Sequence, residues 1–464
     1  MKNILLVNRD NKFNEKYLNY INLVSVKSIY DTNVLVEENT YKAFLKLKDY
    51  LFENNIVIGI DNAYRSVEEQ ENLFQKYEEK YGIAYRDNYV AIPGYSEHHT
   101  GSAIDFSLFI NNKWLSEDEM LLLDDSIMKF VHNSLSKFGF ILRYPKIKEN
   151  VTGYNYESWH IRYVGVVPAT IIINNNLTLE EYLRDFSGVI ALNKKSGPTS
   201  RDYVNEISKI FGLKKVGHTG TLDPLAEGVL LITIGKATKI AELLTSTYKE
   251  YIAEVIMGIK TDTYDIEGKI IEKANIPENI NLSAALNHFQ TTYLQQVPIY
   301  SAIKVNGKKL YEYARNNEKI ELPKKNVTIK KIELLSKSNN KFTFRAIVSK
   351  GCYIRSLIND IGLYLNIPMT MSKLTRISQG DIRIEESYTL EDIRNNNFKL
   401  LSIEKCLNYP VIILDKDLAF KVSNGVPIKN NFNIKDKVIF QDQNSKLLGI
   451  YQVKNNMLVT WKNF

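Results

Sequence analysis

Hydrophobic spacing along the chain first follows helical and strand-like patterns in alternation. Residues 34–55 (VLVEENTYKAFLKLKDYLFENN) place Val36, Ala43, Leu45, Leu47 and Leu51 at a mostly helical interval, which predicts an amphipathic helix. The run IVIGIDNAYRS then predicts a strand ending near Ala63 and Tyr64. Residues 66–81 return to a helical pattern, with Glu68 and Glu69 in the first turn, where negative charge favours a helix start. VAIPGYSEHHTGSAIDFSL reads as a loop and a short strand, LLLDDSIMKFVHNSLSKFGF as a helix closed by Gly139, and SWHIRYVG as another short strand. VVPATIIINNNLTLEEYLRDF closes this module, with a boundary expected near residues 184–190.

Beyond that boundary β-type runs dominate. SGVIALNKKSGPTS predicts a strand and a turn, and DYVNEISKIFG an amphipathic helix ending at Gly212. Strand-like runs recur at 229–234, 251–257, 327–334 and 342–349. From about residue 405 the short runs VIILD, KVIFQ, KLLGIYQV and MLVTW are split by turns, a pattern that suits a small β-barrel.

Composition changes this picture in three ways. A length of 464 residues with 44% hydrophobic and 24% charged content allows two to four domains with cores of their own. The two cysteines, Cys352 and Cys406, exclude a disulfide framework and a cysteine-based zinc site. The first apolar run, Ile4 to Val7, is too short for a signal-peptide core, and no later run reaches the ~18 residues of a membrane span. The expectation is a cytoplasmic monomer with no membrane partner. Charge is unevenly divided. Residues 1–187 hold 20 basic and 26 acidic side chains (net −6), and residues 188–464 hold 40 and 27 (net +13). The basic part is the candidate for a polyanion partner, with Lys308–Lys309, Lys324–Lys325 and Lys330–Lys331 as backbone contacts or solvated faces.

Asp223 stands in GHTGTLDPLAEGVLLITIGKATK (217–239), a Gly-flanked, Pro-followed loop leading into an apolar strand. An isolated Asp-Pro is usually a turn former. The whole run, however, resembles the catalytic motif of bacterial tRNA pseudouridine-55 synthases. LNKKSGPTS (192–200) resembles their Lys-Pro-x-Gly motif, with Lys195 where Pro is usual. YKEYIAEVIMGIKTDTYDIEGKII (248–271), QVPIYSAIKVNGKKLYEYAR (296–315) and VSKGCYIRSLINDIG (348–362) follow in the family's order. The resemblance covers about residues 186–464. It implies isomerisation of uridine-55 in the T-stem-loop of tRNA, with Asp223 as the catalytic carboxylate and no cofactor. It also implies a flipped base, because a stacked uridine cannot reach a carboxylate in a cleft. Tyr251 matches the stacking ring, Tyr353 and Leu374 further pocket residues, and Arg355 the cation that pairs with Asp223 and keeps it ionised. His218 and Lys194 are expected at the substrate. Direct attack and proton abstraction from the sugar both remain open.

Four of the six histidines fall in the acidic part. His98, Asp105 and His160 supply the three N and O donors that a catalytic zinc takes beside one open position. Glu157 would act as general base on the zinc-bound water and Arg65 as the electrophile for an oxyanion. A lone His-x6-Asp usually binds nothing, and His99, His132 and His288 read as ordinary residues. Here S-x-H-x-x-G-x-A-x-D is followed by E-x-x-H and preceded by Y-R-S-x-x-x-Q (Tyr64 to Gln70). Together they resemble the D-alanyl-D-alanine carboxypeptidases of the vancomycin-resistance type, over about residues 1–185. The implied substrate is a peptidoglycan precursor or muropeptide ending in D-alanine, through a D,D or an L,D bond.

The fold expected is multidomain α+β: a small zinc-peptidase α+β domain at 1–185, a synthase domain built on a mixed sheet at 186–404, and a small RNA-binding β-barrel at 405–464. The favoured reading is a bifunctional enzyme. An active synthase with a non-catalytic peptide-binding module is the alternative, and an RNA-binding protein without catalysis a third.

Overall fold

The computed structural model describes residues 4–123 and 125–464. The chain divides into two compact units. One reaches to Phe186 and includes Glu206–Lys215 and Glu391–Phe398; the other comprises Ser187–Asn205, Val216–Leu390 and Lys399–Phe464. Among the described residues no helix is long and apolar enough to cross a membrane.

The first unit is built on an antiparallel sheet in which Ile58–Asn62, Ala103–Ile110, His160–Tyr163 and Phe140–Leu142 lie side by side, with Lys113–Trp114 on Ala103–Ile110. Side chains alternate across a strand. Ile104, Phe106 and Leu108 therefore face the hydrophobic core with Phe44, Leu47 and Leu51 of the helix Glu38–Glu53. Asp105 faces the other way. Register sets Asp105 directly opposite His160 on one side and Asn62 on the other. The helix expected from residue 34 starts later. Asn33–Glu37 is a strand paired with Leu23–Lys27, and the Glu37 carboxylate caps the helix by accepting the Thr40 N–H at 2.7 Å. The helix Val67–Tyr81 opens with a capping box between Ser66 and Glu69. Gly139 ends its helical stretch in the left-handed conformation (φ 84°).

The second unit is built on a nine-stranded sheet. Its main path runs Thr292–Gln296, Lys324–Lys337, Lys341–Val348, Lys249–Met257, Met369–Gln379, Glu227–Gly235, Ser187–Lys194. Lys249–Met257 and Lys341–Val348 alternate strictly between buried and half-buried positions, as one-sided antiparallel strands do. Glu227–Gly235 meets Met369–Gln379 in parallel over a short stretch, which makes the sheet mixed. At that junction a Cβ on Gly228 (φ +100°) would lie 2.2 Å from the Arg376 carbonyl oxygen, so only glycine admits the approach.

The C-terminal strands order as Val411–Ile413, Lys437–Gln441, Leu447–Lys454, Met457–Asn463, Ile428–Lys429 around a separate core that includes Val438, Phe440, Tyr451 and Leu458. The two end strands do not pair with each other. The small β-barrel expected at the C-terminus is present as a half-barrel, with strands of three and two residues at its ends.

Candidate active sites

In the first unit three side chains from separate segments converge. His98 comes from the 3₁₀ turn Glu97–Thr100, Asp105 from the central strand and His160 from its neighbour. One ligand atom of each lies within 4.8 Å of the other two, and all three residues are buried. His98 Nδ1 donates to the Ala63 carbonyl at 2.5 Å, which leaves Nε2 bare and 3.1 Å from Asp105 Oδ2. His160 turns Nδ1 inward, 2.9 Å from Asp105 Oδ1 and 3.6 Å from Glu157 Oε2. Two imidazoles and a carboxylate are the donor set that suits zinc. Arg65 follows the strand Ile58–Asn62. Its Nη1 donates to Gln70 Oε1 at 2.8 Å, and Gln70 is itself tied to the Ala91 carbonyl, which accounts for the Arg-to-Gln spacing in the motif. His99 holds two backbone groups, at Arg65 and Gly94, and His132 meets the Ser158 carbonyl, so both fill structural places.

In the second unit Asp223 sits in a loop pinned from both sides. Ser200 Oγ bonds both the N–H and the carbonyl of Leu222 at 3.0 Å. The Ala226 N–H donates to the Asp223 carbonyl at 3.0 Å and the Gly197 N–H to that of Pro224 at 2.9 Å. Arg355, at the start of the helix Ile354–Leu365, reaches Asp223 Oδ2 with Nη2 at 2.9 Å. Its Nη1 lies 3.5 Å from Asp265 Oδ2, and its remaining contacts are the Thr263 and Tyr300 carbonyls. Tyr353 is the N-cap residue of the same helix, and its backbone N–H donates to Gln295 Oε1 at 2.8 Å. Tyr251 lies across from Arg376 in the sheet, and Leu374 two positions before Arg376 on its strand.

Residues 208–354 match the family model of TruB pseudouridylate synthases (N-terminal domain), and residues 33–166 match that of D-alanyl-D-alanine carboxypeptidase, VanY. The tRNA pseudouridine synthase B of Caldanaerobacter subterraneus subsp. tengcongensis is 41% identical over 267 residues, covering 57% of this chain and 94% of that protein. The chain belongs to the tRNA pseudouridine synthase B family. Its N-terminal part is a VanY-type domain fused to the synthase. A solved vancomycin-resistance D,D-pentapeptidase VanY in complex with Zn(II) is 28% identical and covers 39% of this chain and 97% of that one (TM-score 0.33). The LdcB LD-carboxypeptidase is 34% identical over 38% of this chain and 83% of that one (TM-score 0.34).

On the synthase side Lys194, expected at the substrate, lies behind the Asp223 loop. It is fully buried, and Nζ donates to the carbonyls of Lys195 and Pro224 at 3.0 Å and of Ala226 at 2.7 Å. It holds the back of the Asp223 loop. Burial pushes its ammonium down to about 8. His218 is half-buried, and its Nδ1 has no hydrogen-bond partner; burial, then Arg376 and Arg201, lower its pKa. Two residues escaped the sequence reading. Asp265 shares Arg355 with Asp223. Arg376 is buried and donates to the Val229 carbonyl at 2.6 Å and that of Gly220 at 3.1 Å, with Nη1 3.5 Å from the Tyr251 hydroxyl. Asp265 lies inside the motif at 248–271 and Arg376 two residues after Leu374, but nothing local distinguishes either from a surface charge.

On the peptidase side burial pushes Glu157 up to about 7, with His160 opposing and Asp105 adding to the rise. Burial opposes the charged form of His160, yet the carboxylates of Asp105, Glu97 and Glu157 together outweigh it and hold the imidazole at about 10. Burial likewise works against the Asp105 carboxylate, and His98 and His160 overcome it, holding the group well below the usual range. The residue missed here is Glu97, which is wholly buried between Arg143 and Arg162.

Proposed function

We propose that the second unit converts uridine-55 of the tRNA T-stem-loop to pseudouridine with Asp223 as the catalytic carboxylate. The observation that carries this reading is the Asp223–Arg355 ion pair, set in a loop fastened by Ser200 and Lys194. The reaction exchanges an N–C bond for a C–C bond between the same base and ribose, so it takes up no atom. A fixed carboxylate and a pocket for the freed base suffice. Tyr251 stacks on the flipped base, Tyr353 and Leu374 wall the pocket, and His218 meets the opened stem-loop. Asp223→Ala should abolish pseudouridine formation while tRNA binding persists; full turnover in that variant would refute the assignment.

The first unit is read as a zinc carboxypeptidase that removes C-terminal D-alanine from peptidoglycan-type peptides, acting in the cytoplasm as part of a monomer. The convergence of His98, Asp105 and His160 beside Glu157 supports it. Zinc held by that set supplies Lewis acidity and lowers the pKa of water. Glu157, with a pKa near neutrality in this burial, is suited to take a proton from the attacking water and return it to the leaving amine. Arg65, held by Gln70, faces the negative charge that develops on the carbonyl oxygen. The test is incubation of the full-length chain and zinc with a pentapeptide ending in D-Ala-D-Ala, followed by mass spectrometry, with Glu157→Ala alongside. Loss of one alanine in the parent alone supports the reading. No cleavage by a chain that binds zinc redirects it to an L,D bond or a free dipeptide, and no cleavage by a chain that binds no zinc leaves a non-catalytic module.

A further inference from the structure

We propose that Glu97 is the positioning residue for metal ligation by His160, and that Glu180, acting through Arg143, holds Glu97 in place. The inference rests on the zinc-peptidase reading of this unit.

Glu97 is completely buried. One oxygen, Oε1, receives Arg143 Nε at 2.8 Å and Arg162 Nη1 at 2.9 Å. Neither oxygen has hydrogen-bond geometry to a partner, but Oε1 is held in those two close ion pairs, whereas Oε2 lies 3.8 Å from His160 Nε2, which is also buried and without a hydrogen bond. Orphaned polar atoms are rare in protein interiors. Two that face each other across less than 1 Å beyond bonding distance are a hydrogen bond waiting for a small ring shift. Metal binding supplies the reason for that shift. A ligating Nδ1 must present a bare lone pair, so the hydrogen of the neutral imidazole resides on Nε2. Glu97 Oε2, 3.8 Å away, is placed to accept it.

The rest of the cluster explains why Glu97 stays put. Arg143 sends Nη1 and Nη2 to the two oxygens of Glu180 at 3.1 and 2.5 Å, and Asn8 Nδ2 donates to the same carboxylate at 3.1 Å. Two guanidiniums balance two carboxylates, which makes burial of all four tolerable. A purely structural cluster would account for that balance, but not for an oxygen left out of both close arginine pairs and set toward His160. Asn8 and Glu180 both lie outside residues 33–166, so the segments flanking the VanY-matched region supply the support.

Glu97→Gln tests the inference in the full-length chain. The arginines claim the amide oxygen, which turns the amide nitrogen, a donor, toward His160 Nε2–H. Zinc affinity, measured by competition with a chromogenic chelator, should fall about 10- to 100-fold. Glu180→Gln should weaken it less, about threefold to tenfold, as expected for a more distant support. In ¹⁵N-histidine spectra the zinc-loaded parent should show His160 protonated at Nε2, with that signal shifted or lost in Glu97→Gln. Parental zinc affinity in a folded Glu97→Gln protein would overturn the inference. If that variant fails to fold, parental affinity in Glu180→Gln would do the same. A parent chain that binds no zinc sinks the peptidase reading and this inference with it.

Discussion

Replacing Lys194 separates a loop-holding role from a substrate-binding one. Lys194→Met removes three charge-assisted hydrogen bonds, two of them to Pro224 and Ala226 within the turn that begins at Asp223. Bonds from a charged donor are worth about 1.5–3 kcal/mol each, so the loop loses a gross ~3–6 kcal/mol of restraint. Removing a buried ammonium returns several kcal/mol of desolvation, roughly cancelling that loss in overall stability. The net destabilisation should therefore be small, about 2 kcal/mol or less. The restraint, unlike the stability, is not restored. A displacement of ~1 Å at a reacting group costs on the order of 10²-fold in rate. Because Lys194 exposes no surface to RNA, kcat should fall about 10- to 100-fold with KM for tRNA within about threefold. The assay is tritium release from C5 of a uridine-labelled tRNA transcript, run under saturating and limiting RNA. A tenfold rise in KM with unchanged kcat would mean that Lys194 binds substrate after all, and unchanged kinetics would mean that Ser200 alone sets the loop.

Three further outcomes are expected. Gly228→Ala places a methyl 2.2 Å from the Arg376 carbonyl at φ +100°, and strain plus overpacking should destabilise the second unit by about 3 kcal/mol or more; an unshifted thermal transition would contradict it. Burial pushes Lys249 down to about 7 and Lys194 to about 8, below the ordinary lysine value of ~10.4. Above about pH 7 the folded chain releases protons that the unfolded chain still binds, so these two groups make stability rise from pH 7 to 9. Urea midpoints read that slope, and Lys249→Met should flatten it. Glu157→Gln should retain zinc yet lose about 10²- to 10⁴-fold in peptide cleavage, and a chelator should stop cleavage while leaving pseudouridine formation intact; equal loss of both activities would refute two independent sites.

Local signals carried much of the architecture. The capping box at Ser66, the glycine stop at Gly139 and the alternation of the long strands are written in neighbouring residues and appear where the sequence puts them. The start of the first long helix was misplaced because Val34 and Val36 fit either period, and only pairing with Leu23–Lys27 makes them a strand. The C-terminal half-barrel was legible as a run of short strands, although short apolar runs do not reveal whether their sheet closes. Motif residues that meet an adjacent strand, such as Asp105 and His160, were readable as a set although the register that joins them was not. Asp265, Arg376 and Glu97 were not readable. Their roles come from burial and from partners far along the chain, and a buried charge looks like a solvated one in sequence. Lys194 is the same problem in reverse, a lysine in a motif whose partners turn out to be carbonyls.

The two units share one electrostatic arrangement despite their different chemistry. Each leaves the carboxylate proposed to act partly open, with side-chain exposure of 35% for Asp223 and 23% for Glu157, and sinks the charges that organise the site. Arg355 is 5% exposed between Asp223 and Asp265, and Glu97 is 0% exposed between Arg143 and Arg162. A buried guanidinium with two carboxylates cannot relax toward water, so the field it creates is fixed before substrate arrives. Removing such a guanidinium leaves uncompensated buried charge, worth about 3–5 kcal/mol, whereas removing Asp223 still leaves Arg355 beside Asp265, and Glu157 belongs to neither guanidinium pair. Substitutions at Asp223 and Glu157 should therefore read out chemistry in a folded protein. Those at Arg355 and Arg143 should mix lost chemistry with lost structure, and they are poor probes of mechanism for that reason.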